Sequence, residues 1–408
     1  MKGKENYVCK LKKGLYGLKQ SGKLFNTDLH NKLLALRLTQ SYCDECLYFK
    51  TVSNQRIYIL VYVDDLIICS KDKTIVQQFK DDLAATGYTT VDRGPVKCFL
   101  GIEVKRNRAN RKLWLRQTSY IHDLVDRFRL NREDKPAESP EMPARHDRLT
   151  SDMSPKTDEE RAKMKKYPHK ELIGCLIYVA SKTRPDIAHA LQQVSQFQSN
   201  FGKAHWTAAL RILSYLHGTA KHGLTYAGDR TTINHTINGH FGKAPNTACF
   251  TDSDWANDTE KRLSVGGHVF TVYGGIVEYH CKKTRQTACS SQEAEWYLAC
   301  DAAKTAKYIR NLFQQLDLMD SSPIPLMEDN QGCIDFTTKP IGSSQMKHLD
   351  LRYHFLKDYF RQGVVKFYKV KSQDNISDIF TKALPIKTFV HLRERMNVNS
   401  AHEFLYES

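Results

Sequence analysis

One stretch, Ile57 to Ser70, limits the folds open to this chain more than any other. It reads IYILVYVDDLIICS, so two short apolar runs flank a single acidic pair, Asp64 and Asp65. Runs of this length, rich in Ile, Val and Tyr, predict a strand–turn–strand hairpin with the two acids at its turn. Adjacent carboxylates among apolar flanks are costly to desolvate without a counter-charge, which a divalent metal would supply. The plainer interpretation is a hairpin tip that carries two solvated acids.

The charge of the chain indicates a polyanionic partner. Its 408 residues include 61 Lys and Arg but only 45 Asp and Glu, a formal net charge of +16. This balance, with acids clustered at a few places, is typical of a nucleic-acid binder with metal sites, although a ribosomal or chromatin protein would carry the same charge. No apolar run reaches the length of a membrane span, and the N-terminus lacks an apolar signal region. We therefore expect an intracellular protein with no membrane partner.

The eleven cysteines give no evidence of a disulfide framework or a zinc site. They are scattered through the sequence, which fits a reducing compartment. Cys43 and Cys46 form one C-x-x-C motif, but no second pair of cysteines or histidines completes a set of zinc ligands. We interpret these two as strand cysteines.

Four acids between residues 252 and 378 fall at informative positions. The hydrophobic pattern there predicts three strands, a long helix, a strand and further helices. Asp252 ends the first strand, Glu295 lies on the apolar stripe of the long helix, Asp329 follows the fourth strand, and Asp378 lies on a short late helix. A carboxylate on a buried stripe needs a partner or a metal. The plainer interpretations are a first-turn Glu beside a helix dipole and an N-cap role for Asp329.

Several motifs resemble, in the same order, the Pol polyproteins of Copia-type LTR retrotransposons. Tyr62 to Asp65 read YVDD, which is similar to the YxDD motif of reverse transcriptases, and LKKGLYGLKQ at residues 11–20 resembles the motif just upstream of it. Further along, the chain matches that family's RNase H in TDSDWA, SSQEAEWYLA, EDNQGCI, KHLDLRYHF and DIFTKALP. The resemblance covers residues 7–398.

In the polymerase part, the resemblance implies that Asp64 and Asp65 are metal ligands. It also implies that residues of the upstream motif lie near the incoming nucleotide and template: Tyr16, Gly17, Lys19 and Gln20. The family usually continues that motif with Ala-Pro-Arg, where this chain has Ser-Gly-Lys. The family also needs a third palm aspartate well before the motif, and this sequence contains none there. We therefore expect little DNA synthesis from this chain by itself.

In the nuclease part, the resemblance implies two Mg²⁺ ions, with Mn²⁺ as a substitute, held by Asp252, Glu295, Asp329 and Asp378. Asp252 and Asp254 share a strand face, so the pattern alone cannot choose between them, and the resemblance favours Asp252. His348 and His354 lie in the KHLDLRYHF match, where a structural or a substrate-contacting role stays open.

The resemblance further implies an α+β / α/β multidomain fold. Residues 1–130 would form a partial reverse-transcriptase palm with the YVDD hairpin and primer-grip-like strands. A proline-rich linker over 131–160, without packed elements, would open a helical thumb-like connection that ends at residue 246. Residues 247–398 would form an RNase H-like mixed-sheet domain, and 399–408 a tail.

The expected function is hydrolysis of RNA in RNA–DNA hybrids. The partners implied are such hybrids and template–primer nucleic acid, and other Pol or Gag products of the element are candidate partners. The family resemblance places the chain in a cytoplasmic virus-like particle or in the nucleus. The alternative is a non-catalytic, basic nucleic-acid-binding remnant of a decayed element.

Overall fold

A computed structural model describes residues 11, 14–131, 133–141, 148–227, 247–255, 263–284, 288, 290–339 and 350–400. The chain divides into two compact units. The first comprises Met1–Val96 with Asn311–Leu316, and the second comprises Lys97–Arg310 with Asp317–Ser408. The domain boundaries predicted after residues 130, 246 and 398 stay predictions. Within the described residues, no helix combines the length and the apolar character that crossing a membrane requires.

The first unit is an antiparallel sheet with two helices packed on it. Four strands pair in the order β1-β2-β3-β4, and Leu33, Ile57 and Phe79 are fully or almost fully buried in the core they share with the helices. The elements are α1 (Ser21–Ala35), β1 (Thr39–Gln40), β2 (Leu47–Val52), β3 (Gln55–Tyr62), β4 (Asp65–Ser70) and α2 (Lys73–Ala85).

The hairpin expected over Ile57 to Ser70 is formed by β3 and β4. Tyr62 pairs with Asp65, so Val63 and Asp64 form a two-residue turn. Val63 has a φ of 55°, in the left-handed region that a β-branched residue rarely adopts. The turn thus forms without the Asn-Gly or Asp-Gly sequence that usually favours such a conformation.

The second unit contains two further sheets and the helices around them, and the last five residues of the long helix Ser291–Gln315 belong to the first unit. Short 3₁₀ helices cover Ser151–Met153, Pro185–Ile187, Ser372–Asp374 and Ile376–Phe380. The other elements are β5 (Cys98–Phe99), β6 (Ile102–Asn107), β7 (Lys112–Arg116), α3 (Thr118–Arg127), α4 (Asp158–Met164), α5 (His169–Lys182), α6 (Ala188–Ser195), α7 (Lys203–Gly218), β8 (His222–Ala227), β9 (Thr247–Asp254), β10 (Val265–Val272), β11 (Gly275–Lys283), α8 (Ser291–Gln315), β12 (Ile324–Glu328), α9 (Gln331–Thr338), α10 (Asp350–Arg361), β13 (Val365–Lys369), α11 (Ile386–Arg395) and β14 (Val398–Ser400).

One sheet of this unit combines strands that are far apart in the sequence. Its order is β14-β8-β7-β6-β5, and every neighbouring pair is antiparallel. Sequence analysis did not predict β8 or β14.

The prediction that residues 131–160 contain no packed elements was also wrong, because a 3₁₀ helix and the start of α4 lie there. Thr157 and Glu160 form a reciprocal capping box that begins α4.

The other sheet is mixed, in the order β11-β10-β9-β12-β13. The pairs β11–β10 and β10–β9 are antiparallel, whereas β9–β12 and β12–β13 are parallel. Because β9 and β12 run in the same direction side by side, their carboxyl ends meet at one edge of the sheet. The predicted α+β / α/β multidomain class is confirmed, with a mixed sheet after a helical region.

A buried ion pair holds α11 to the helical region. Arg184 and Asp186 are almost wholly buried and form two charge-assisted hydrogen bonds, 3.0 and 2.8 Å long. The Tyr215 hydroxyl donates to Asp186 over 2.6 Å, and Arg393 on α11 donates to the Tyr215 oxygen over 3.2 Å. Removing one partner of such a pair would leave a buried charge without its counter-ion.

Gly267 allows the segment that carries Asp378 to lie close to the sheet. A Cβ atom at this position of β10 would lie 2.6 Å from the Phe380 Cβ. We expect Gly267→Ala to lower the free energy of unfolding by about 1–3 kcal/mol, because the segment must move to relieve the overlap. Urea unfolding measures this change.

The control is Gly174→Ala on α5, where an added Cβ meets no atom within 4 Å. That substitution should stabilise the chain by up to about 1 kcal/mol, since alanine favours a helix over glycine. Equal effects at the two positions would contradict the close approach at Gly267.

Candidate metal centre

Three carboxylates from three different elements meet at one edge of the mixed sheet. Asp252 lies on β9, Asp329 directly follows the neighbouring strand β12, and Glu295 lies in the second turn of α8. One carboxylate oxygen from each residue lies within 4.8 Å of the others. Elsewhere in the described chain, no three His, Cys, Asp or Glu side chains come together in this way.

The fourth predicted acid, Asp378, reaches the same site through Lys382. The Lys382 Nζ lies 3.0 Å from the Asp378 Oδ2 and 3.9 Å from the Asp252 Oδ2. Between these residues, Thr381 is fully buried and its hydroxyl donates a short hydrogen bond to the Asp252 Oδ2. The 3₁₀ helix Ile376–Phe380 and the residues after it therefore fix Asp252 as well as Asp378.

Burial makes the charged form of these carboxylates unfavourable. Burial, and then the charges of Glu328 and Asp252, raises the pKa of Glu295 well above its ordinary value. Burial followed by the Asp252 charge raises the pKa of Asp378 to about 8. Burial alone would lower the pKa of Lys382, but Asp252 and Asp378 outweigh it and the pKa is raised. The site thus has an excess of negative groups that a cation would relieve.

The donor set fits a hard divalent cation. All the converging atoms are carboxylate oxygens, which Mg²⁺ and Ca²⁺ prefer over nitrogen or sulfur. Within the described residues, the Glu295 Oε2 and the Asp378 Oδ1 are buried and accept no hydrogen bond. Buried oxygens of this kind are costly unless a proton or a metal satisfies them.

The alternatives that the sequence left open concern Asp329, Glu295 and Asp252, and the structure describes the surroundings of each. Asn330, not Asp329, caps α9, because the Asn330 Oδ1 accepts from the Cys333 N–H over 3.1 Å. Glu295 is only 6% exposed, so it is not a solvated first-turn residue. Asp252 is the member of the β9 pair that joins the cluster, whereas Asp254 is half-buried at the end of the strand.

One carboxylate at the site was missed by sequence analysis. Glu328 is the last residue of β12, is fully buried, and has a pKa raised to about 8 by burial. The sequence analysis assigned the acidic role in the motif EDNQGCI to the neighbouring Asp329. Nothing in the local sequence pattern indicates that Glu328 is buried beside β9.

The predicted polymerase residues are all exposed. Asp64 and Asp65 lie on the solvent side of the β3–β4 hairpin, and no third carboxylate of the described chain joins them in a cluster. Tyr16 is 100% exposed, and the rest of its motif is exposed as well: Gly17, Lys19 and Gln20.

Of the two histidines in the KHLDLRYHF match, His354 is exposed on α10 and His348 lies outside the described residues.

Comparisons with known proteins identify the family. A family model described as reverse transcriptase (RNA-dependent DNA polymerase) matches residues 1–142. The retrovirus-related Pol polyprotein from transposon TNT 1-94 of Nicotiana tabacum is 34% identical over 399 residues, which are 98% of this chain and 29% of that polyprotein. The corresponding polyprotein from transposon RE1 of Arabidopsis thaliana is 30% identical over 397 residues, 97% of this chain and 25% of the relative. The chain belongs to the Copia-type Pol polyproteins.

This Copia-type chain spans less than a third of the length of those two relatives. Among solved structures, it is similar to a foamy viral protease–reverse transcriptase in complex with dsDNA. That match has 16% sequence identity and a TM-score of 0.42, and it covers 88% of this chain and 60% of the other.

The raised carboxyl pKa values predict that stability falls as pH rises. Asp378 has an ordinary pKa of 3.8 and a pKa of about 8 when folded, so the folded chain binds its proton more tightly than the unfolded chain. The stabilisation that this proton gives the folded chain is fully present below the pKa of the unfolded chain, 3.8, and is lost as pH rises through about 8. We expect the free energy of unfolding in EDTA to fall from about pH 5.5 to 8.5, by up to about 1.4 kcal/mol per pH unit for each such group.

Urea unfolding over that pH range tests this expectation. Mg²⁺ should reduce the fall, because it favours the ionised carboxylates of the folded state. Asp378→Asn removes one titrating group, so its curve in EDTA should be flatter than that of the wild type. A wild-type curve that rises with pH would contradict the assignment.

Proposed function

We propose that this Copia-type chain hydrolyses the RNA strand of RNA–DNA hybrids, using Mg²⁺ held by Asp252, Glu295, Asp329 and Asp378. The observation that carries the proposal is the convergence of three carboxylate oxygens within 4.8 Å at the end of two parallel strands. Oxygen ligands in this number suit two Mg²⁺ ions, with Mn²⁺ as a substitute.

The chemistry needs few groups from the protein. When bound at such a site, Mg²⁺ activates water and stabilises the leaving oxygen of a phosphodiester. The chain contributes rigid placement, since Asp252 and Asp329 are on adjacent strand ends and Glu295 is on a packed helix. Thr381 orients the Asp252 carboxylate by its hydrogen bond, and Lys382 provides a positive charge beside Asp378.

The basic composition supports a nucleic-acid substrate. With 61 Lys and Arg against 45 Asp and Glu, the chain can make many contacts to phosphates, and a 2′-hydroxyl would distinguish RNA from DNA. Template–primer nucleic acid and other Pol or Gag products of the element are further proposed partners, on the strength of the family alone.

Nuclease activity is better supported than DNA synthesis. For a polymerase site we propose Asp64 and Asp65 as metal ligands and the Tyr16, Gly17, Lys19 and Gln20 motif as the nucleotide-binding segment. Both acids are exposed, and no third carboxylate of the described residues accompanies them. Of the four carboxylates proposed for the nuclease, by contrast, three lie close together: Asp252, Glu295 and Asp329.

Cleavage of a labelled RNA–DNA hybrid in Mg²⁺ tests the proposal. Asp329→Asn should slow cleavage at least about a hundred-fold, because losing a metal-ligand carboxylate removes several kcal/mol of transition-state stabilisation. Asp335→Asn is the matched control. It changes a partly exposed acid on the adjacent helix, which forms an ion pair with Lys339 over 2.7 Å, and it should leave cleavage unchanged.

Binding of the hybrid is measured in parallel by fluorescence anisotropy over a range of salt concentrations. If neither the wild type nor Asp329→Asn cleaves, although both bind the hybrid in a salt-sensitive way, the chain is a non-catalytic binding remnant. The proposed nuclease function would then be wrong.

A further inference from the structure

The buried carboxylate of Glu328 is satisfied in a way that links the two strand ends of the metal centre. Its Oε2 accepts a hydrogen bond from the Thr251 hydroxyl over 2.7 Å, and its Oε1 accepts from the Asn330 backbone N–H over 2.9 Å. Thr251 immediately precedes Asp252 and Asn330 immediately follows Asp329. Glu328 therefore holds the residue next to each of two candidate ligands.

The link lies where the backbone pairing ends. β9 and β12 pair only through Leu326 with Cys249 and Met327 with Phe250. The next residue on each strand is Glu328 or Thr251, and their side-chain hydrogen bond continues the connection beyond the ladder. The backbone pairing ends two residues before Asp252 and Asp329, and this hydrogen bond extends the connection by one residue on each strand.

The hydrogen bonds continue toward the fourth carboxylate. The Thr251 carbonyl oxygen accepts from the Asn375 Nδ2 over 2.8 Å. Asn375 is fully buried, and its Oδ1 accepts from the Ser377 N–H and hydroxyl at the start of the 3₁₀ helix that carries Asp378. One buried series of hydrogen bonds thus joins the segments of Asp329, Asp252 and Asp378.

Glu328 is not placed as a metal ligand itself. Both of its oxygens already accept hydrogen bonds from the protein, and the cluster within 4.8 Å consists of Asp252, Glu295 and Asp329. In the described chain no Lys, Arg or His forms an ion pair with it. A fully buried acid without a counter-ion is costly, so simple packing would favour an apolar residue here.

We propose that Glu328 is a positioning residue of the metal centre, which sets the distance between Asp252 and Asp329 by accepting hydrogen bonds from Thr251 and Asn330. This role rests on the proposed function, because it assumes that the cluster binds a divalent ion. Groups that orient metal ligands in this way commonly change metal affinity by about 10–100-fold when they are removed.

The test measures Mg²⁺ affinity of the full chain by titration calorimetry, with urea unfolding of each variant. Glu328→Ala removes both acceptors and should weaken Mg²⁺ binding about 10–100-fold. Glu328→Gln should stay within about threefold of the wild type, since its amide oxygen can accept from Asn330 and its amide N–H can donate to Thr251. If Glu328→Gln keeps the Mg²⁺ affinity of the wild type, the side chain acts by positioning its neighbours and not as a metal ligand.

Two further variants keep the test decisive. Ile324→Val shortens a fully buried side chain at the start of β12, so it should lower stability by about 0.5–1.5 kcal/mol without changing Mg²⁺ affinity. Thr251→Val removes the hydroxyl from the other partner and should also weaken Mg²⁺ binding, which covers the case that Glu328→Ala does not fold.

The outcomes separate the two proposals. If the wild type binds Mg²⁺ and a folded Glu328→Ala or Thr251→Val binds it equally well, the positioning role is overturned while the proposed function stands. If Glu328→Gln is as weak as Glu328→Ala, Glu328 is a ligand rather than a positioning residue. If the wild type itself binds no Mg²⁺, the proposed function and this role are both overturned.

Discussion

The parallel pairing of β9 and β12 is the constraint on which the site depends. It brings two strand ends to one edge of the sheet, so Asp252 and Asp329 converge although many residues separate them in the sequence. α8 then adds Glu295 from its buried face. Because parallel strands need a long crossover connection, such a meeting of residues is a property of the whole unit rather than of any local motif.

Electrostatics supports the proposal that the arrangement is a functional site and not an ordinary core. Glu295, Glu328 and Asp378 each have a pKa raised chiefly by burial, while Lys382 is the cation of the described chain that forms ion pairs within the cluster. Apolar side chains at these positions would make the folded chain more stable, since buried acids that repel one another oppose folding. Strongly perturbed carboxylates gathered in one place are therefore evidence for a ligand, and a divalent ion matches their charge and chemistry.

The sequence predicted the parts of this structure that depend on local pattern. The apolar stripe of α8 indicated that Glu295 is buried, and alternation indicated the hairpin that carries Asp64 and Asp65. The role of Glu328 was not predicted, because its partner Thr251 lies 77 residues earlier, on a strand whose register the sequence does not specify. α4 was missed although its capping-box residues were visible, since the prolines before it dominated the interpretation of that stretch. The short strands β8 and β14 depend on pairing between distant segments, which periodicity does not record.

The position of β14 has a consequence for biosynthesis. This strand, Val398–Ser400, pairs with β8, which in turn pairs with β7 from the first part of the second unit. During translation, the sheet cannot gain its last edge strand until nearly the whole unit has left the ribosome. Contacts between such distant segments slow folding, so β8 keeps an open edge, which is prone to intermolecular pairing, for most of the time that the unit is being made.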